Sequence, residues 1–209
     1  MKKITFLPLL FALIGFSFSS SKPKGFVSLF DGKTFVGWRV NEENPSTFSV
    51  EDGTIKVAGD RTHLFYEGNV GNHDFKNFEL KLKAKTLPGS NSGIFIHTAY
   101  QAKGWPDKGY EVQVNQTHDD WRKTGSLYSF SDVKENLVKD NEWYDYDITV
   151  KDKRVIIKVN NKVAVDYTEP DTLPETRGLK KLSSGTIALQ GHDPKSVVYF
   201  KDIEIKSLD

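Results

Sequence analysis

The sequence predicts an all-β fold of two packed antiparallel sheets, and three observations carry that expectation. Apolar and polar residues alternate with period two in segment after segment, turn signals built on Gly and Asn separate those segments, and no strand–helix–strand rhythm occurs. In TFSVEDGTIKV (Thr47–Val57), Asp52-Gly53 marks a hairpin turn between two short strands. FELKLKAK (Phe78–Lys85) sets Phe78, Leu80, Leu82 and Ala84 on one face and Glu79, Lys81, Lys83 and Lys85 on the other, a strand with one solvated side. YDYDITV (Tyr144–Val150) continues the pattern. RVIIKVNNKVAVDY (Arg154–Tyr167) is a tight hairpin broken at Asn160-Asn161, two residues that tolerate positive φ. SVVYFKDIEI closes the chain with one more strand.

Three central strands carry a different outward face. NSGIFIHT directs Ile94 and Ile96 one way and Gly93, Phe95 and His97 the other. GYEVQVN (Gly109–Asn115) separates Val112 and Val114 from Glu111, Gln113 and Asn115, and GTIALQGHD separates Ile187 and Leu189 from Ala188, Gln190 and His192. A solvated strand face usually favours Lys, Glu and Thr; amide, carboxylate and imidazole groups in its place suit sugar hydroxyls, which need paired donors and acceptors. Trp38, Trp105, Trp121, Tyr110 and Tyr128 are candidate aromatic walls for such a surface, although Trp38 and Trp143 also suit packing. His63, His73 and His118 show no usable spacing and read as surface residues. The long segment Glu169–Gly185 is expected to shape a site at the sandwich rim or to be mobile.

Bulk properties set the context. Lys2 and Lys3 precede an apolar run from Ile4 to Phe18, and small residues follow, so residues 1–20 are expected to be a signal peptide cleaved near Ser19–Ser21. The run is interrupted by Pro8 and Gly15 and is shorter than the ~20 apolar residues of a spanning helix, so no stable membrane insertion is expected. The destination is then the periplasm or the exterior, with residues 21–209 forming a single domain. With no cysteine, disulfides, thiolate metal sites and a lipoprotein anchor are excluded. A formal charge of +1, about −1 without the two leader lysines, argues against a nucleic-acid partner.

The blocks GFVSLFDGKTFVGW (Gly25–Trp38), NSGIFIH, GYEVQV, TGSLY (Thr124–Tyr128), NEWYDYDITVKDKRVIIKVNNKVAVDY (Asn141–Tyr167) and GTIALQGHDPKSVVYFKDIEI (Gly185–Ile205) occur in an order that resembles the 3-keto-disaccharide hydrolase domain family of secreted bacterial proteins. The resemblance spans nearly all of the mature chain. It implies a concanavalin A-like jelly-roll sandwich of the lectin/glucanase type and action on glycosides oxidised at C3. By the same resemblance Glu111, Gln113, Gln190 and His192 carry over as site positions, while His97 stands where many members have Arg.

A conventional glycosidase requires two carboxyl groups about the scissile bond, and Gln113 and Asn115 cannot supply the second; Asp119, Asp120 or Asp193 would have to do so from loops. A 3-keto sugar needs less, because the ketone acidifies the C2 proton and one base can start an elimination. His192 or His97 is the expected base. Glu111 is expected to be the acid or to orient a histidine, unless it forms a plain ion pair with Arg122 or Lys123. Gln113, Gln190 and Lys123 are candidate partners for the enolate or hydroxyls, and Asn115, Tyr128, Trp105 and Trp121 complete the expected binding set. No cofactor is expected; His97, Glu111 and His192 have the chemistry for Zn or Mn but no compact ligand spacing. A conventional glycoside hydrolase and a non-catalytic carbohydrate-binding domain are the alternatives. The sequence leaves oligomeric state open.

Overall fold

The structure, a computed structural model, describes residues 25–173 and 180–209; the expected signal peptide lies outside them. The first strands are β1 (Val27–Ser28), β2 (Trp38–Val40), β3 (Phe48–Glu51), β4 (Thr54–Ala58), β5 (Thr62–Tyr66), β6 (Phe78–Thr86) and β7 (Asn91–Thr98). They are followed by β8 (Tyr110–Asn115), β9 (Tyr144–Lys151), β10 (Arg154–Val159), β11 (Lys162–Thr168), β12 (Thr186–Gly191) and β13 (Val197–Ser207). An eight-stranded sheet runs β11-β10-β9-β6-β13-β4-β3 with β1 also on β13, and a five-stranded sheet runs β2-β5-β12-β7-β8; every pairing is antiparallel. No helix among the described residues is long and apolar enough to cross a membrane.

The alternating residues become the two inner faces. Leu80, Leu82, Tyr146, Ile148, Phe200 and Ile203 from the large sheet join one core cluster with Leu64, Ile94, Ile96, Val112, Val114, Ile187 and Leu189 from the small one. Burying each such side chain contributes about 1.5–3 kcal/mol, and that burial fixes the register, since a slip of one residue would turn the apolar set outward. In β13 the buried positions change phase between Phe200 and Ile203, where a bulge carries Asp202 at φ 52°. The hairpin turns form as expected: Asn160 and Asn161 have φ 48° and 64°, and Asp52-Gly53 has 47° and 76°.

Candidate active site

The outer face of the five-stranded sheet carries the cleft. Its volume is about 330 Å3, within the ~300–1,000 Å3 typical of small-molecule sites. Period-two geometry turns Glu111 and Gln113 of β8, Gly93 and Phe95 of β7, and Gln190 of β12 away from the core. After β8 the chain folds back beside it: Gln113 N donates to Ser126 O at 2.9 Å and Tyr128 N to Glu111 O at 2.9 Å. That return brings Asp120 and Tyr128 to the cleft wall, and Trp105, from the loop between β7 and β8, forms another wall.

Glu111 lies over Gly93. A Cβ built on Gly93 would stand 2.3 Å from Glu111 Oε1 and 2.9 Å from its Cδ, so glycine is what lets the carboxyl rest on the sheet. Gln190 Nε2 donates to Glu111 Oε1 at 2.8 Å. Burial pushes the Glu111 carboxyl up to about 7, against the opposing hydrogen bond from Gln190 and the charge of Lys180. The ion pair with Arg122 or Lys123 does not form. Arg122 lies 3.6 Å from Asp120 and 3.4 Å from Asp132, and Lys123 Nζ donates to the carbonyls of His118 and Asp120 at 2.9 Å each.

His192 follows β12 and shares the cleft with Glu111. Its Nδ1–H donates to Asp193 Oδ2 at 2.8 Å, leaving the Nε2 lone pair toward Asn91 Nδ2 at 3.4 Å. Asp193 also accepts from Ser196 Oγ at 2.6 Å and from Lys195 N at 2.9 Å, which fixes the carboxylate that orients the ring. Asn91 is a hub that sequence reasoning missed. Its Oδ1 accepts from Gln113 Nε2 at 3.1 Å while its Nδ2 lies 3.3 Å from His118 Nδ1. Residue type alone could not single it out, because its position opposite Asn115 depends on strand pairing.

Several expectations are corrected. His97 does not join Glu111 and His192. The register breaks between Thr186 and Ala188 opposite β7, and His97 takes φ 53°, so alternation fails there. The ring packs against Phe78 at 5.7 Å between centroids, donates from Nε2 to Lys76 O at 2.9 Å and accepts from Ser183 N at 3.1 Å. Both ring nitrogens are committed, and burial holds its pKa below the ordinary value. Asn115 is buried and ties down the returning loop through Asp120 O and Arg122 O, both at 2.8 Å. Lys123 serves the same loop, and Trp121 is an exposed ring beside Arg122 and Lys134 rather than part of the cleft lining. Trp38 belongs to the core, its indole N–H donating to Leu29 O at 2.7 Å. Tyr110 does line the cleft, but it is largely core as well, with its hydroxyl donating to Glu169.

His63 and His118 are not surface residues of no consequence. His63 is fully buried on β5, edge-on to Phe95 and Trp105 at 5.3 and 5.6 Å, and burial lowers its pKa to about 3, so it is neutral. His118 stands 5.3 Å, ring to ring, from His192, while His73 is exposed. His97, Glu111 and His192, which have the chemistry for Zn or Mn, are not brought together. His118, His192 and Asp193 instead offer ligand atoms within 4.8 Å of one another. Asp120 N donates to His118 Nδ1 at 3.1 Å, so a cation held by this trio would have to displace the ring protons that face Asp193.

Residues 25–206 match the model of the 3-keto-alpha-glucoside-1,2-lyase-like domain, most of the chain. The chain belongs to this family. The chain is also 32% identical over 170 residues to a 3-keto-disaccharide hydrolase of Bacteroides thetaiotaomicron, a match that covers 68% of this chain and 58% of that relative. The chain thus matches less than two thirds of that relative's length. Among solved structures, a candidate glycosyl hydrolase of Parabacteroides distasonis superposes with a TM-score of 0.75 at 26% identity, covering 88% of this chain and 94% of that one. The carbohydrate binding module CBM66 of Bacillus subtilis shares the fold at TM-score 0.60 and 13% identity, covering 82% and 96%. The fold has the two antiparallel sheets that the strand pattern predicts, in the jelly-roll type that the resemblance implies.

Proposed function

We propose that this family member is an exported enzyme that cleaves 3-keto-glycosides by abstraction of the C2 proton and elimination. One observation carries the reading: Glu111 and the Asp193-oriented His192 face the same cleft. His192 Nε2 takes the C2 proton, and the C–H electrons form the C2=C3 enolate. Collapse of the enolate restores the C3 carbonyl, forms C1=C2 and breaks the bond from C1 to the leaving oxygen. Glu111, carried up to about 7 by burial, gives that oxygen its proton. Water then adds across C1=C2, with its hydroxyl going to C1 and the proton held by His192 returning to C2, which completes net hydrolysis. Gln113, Gln190 and Tyr128 hold hydroxyls, and the Trp105 ring covers an apolar sugar face. The reading invokes no cofactor. Export rests on the charged and apolar pattern of residues 1–20.

A conventional glycoside hydrolase remains the second reading, because Asp120 brings a second carboxylate to the cleft beside Glu111. Incubation with a 3-keto-disaccharide and with its unoxidised parent separates the two. Cleavage of the ketone alone, with solvent deuterium appearing at C2, supports elimination. Equal cleavage of both sugars assigns the chemistry to Glu111 and Asp120, and binding without turnover of either would refute both.

A further inference from the structure

Proton abstraction from C2 leaves a full negative charge on the C3 oxygen, and most of the cleft is poorly matched to it. Asn91, Gln113 and Gln190 offer neutral amides, Glu111 keeps its proton for the leaving oxygen, and the Asp120 carboxylate would repel an oxyanion. Among the described residues that line the cleft, Lys180 is the one lysine or arginine. Arg122, paired with Asp120 and Asp132, and Lys123, donating to two backbone carbonyls, are not part of the cleft lining. A site that read only the hydroxyls of a neutral sugar gains little from an ammonium group, whereas an enolate is stabilised by one.

Lys180 is also held in place. Its Nζ donates to Pro106 O at 2.8 Å, next to the Trp105 wall. The segment behind it is pinned three times: Leu182 N donates to Glu169 Oε2 at 2.7 Å, Ser183 N to His97 Nδ1 at 3.1 Å, and Gly185 pairs with Phe75 through two backbone bonds of 2.8 and 3.1 Å. Gly185 and Gly109 both press on the His97 backbone, where an added Cβ would come within 2.7 Å of its carbonyl carbon. The bond to Pro106 O positions the ammonium group before charge develops, and the pinned backbone after it limits how far the residue can shift.

We propose that Lys180 is a catalytic residue whose ammonium group stabilises the C3 oxyanion of the enolate, a role that rests on the elimination reading above. The proton leaves C2 for His192, Lys180 stays protonated throughout, and its hydrogen bond to the C3 oxygen strengthens as the charge forms and relaxes when the carbonyl returns.

Wild type, Lys180→Met, Lys180→Gln and Lys180→Arg are compared on a 3-keto-disaccharide for kcat and KM, for deuterium uptake at C2 in heavy water, and for thermal midpoint. Removing a donor aimed at an oxyanion costs about 10²–10³-fold in kcat. Met and Gln are expected to lose that much in kcat and in C2 exchange together, with KM within a few-fold and midpoints unchanged, and Arg is expected to recover part of the loss. A Met or Gln variant that folds and keeps kcat within threefold, or that loses only in KM, overturns the role of Lys180 while leaving the elimination intact. A wild-type protein that neither exchanges C2 nor cleaves the ketone overturns the elimination itself, and the role of Lys180 with it.

Discussion

Replacing Glu111 by Gln tests the electrostatics of the cleft with one atom changed. Gln has nearly the same shape, its Oε1 can still accept from Gln190 Nε2, and it cannot ionise. The folded protein holds the Glu111 proton with a value of about 7 against an ordinary 4.5. At about 1.4 kcal/mol for each tenfold change in proton affinity, that difference corresponds to roughly 3 kcal/mol as an upper figure. The sign follows from linkage. The folded state binds the proton more tightly than the unfolded one, so its advantage is complete below 4.5, fades as pH rises toward 7 and is gone above it. Glu111→Gln carries no such pH-dependent penalty. It is therefore expected to unfold at the same temperature as wild type near pH 4 and to exceed it by up to about 6–12 °C near pH 8, at about 2–4 °C per kcal/mol for a domain of this size. Thermal unfolding at several pH values measures this, and a difference that stays flat between pH 4 and 8 would refute the buried-carboxyl argument. The same substitution should cost about 10²–10⁴-fold in kcat. It should also remove the decline in wild-type activity as pH rises through about 7 and the acid loses its proton.

Two further substitutions examine how the site is held. Gly93→Ala places a methyl group 2.3 Å from Glu111 Oε1 at a position whose φ does not require glycine. It is expected to lower kcat at least tenfold while leaving the thermal midpoint within a few degrees, and restored activity in Gly93→Ala/Glu111→Asp would confirm displacement of the carboxyl as the cause. His97→Ala leaves Lys76 O and Ser183 N without their ring partners and should cost about 1–3 kcal/mol of stability. Its kcat is expected to fall less than tenfold, in contrast to a loss of about 10²–10⁴-fold for His192→Ala; equal losses in the two variants would return His97 to the reacting centre.

Local alternation determined the sandwich. FELKLKAK, the Asn160-Asn161 hairpin and the split faces around Glu111 and Gln190 each carry a period that only a strand with one buried face satisfies, so sheet class, turn positions and half of the site were legible in the chain itself. Long-range pairing decided the rest. His97 obeys the alternation in sequence, yet a bulge opposite β12 and a positive φ rotate it toward Phe78, and no local pattern records a register break made by a distant strand. Asn91, Asp120, His118 and Lys180 reach the cleft region from a strand start and from loops, where residue type carries no period. Identity and spacing fix which face a strand residue can present, while the folding of distant segments onto that face fixes which charges meet there.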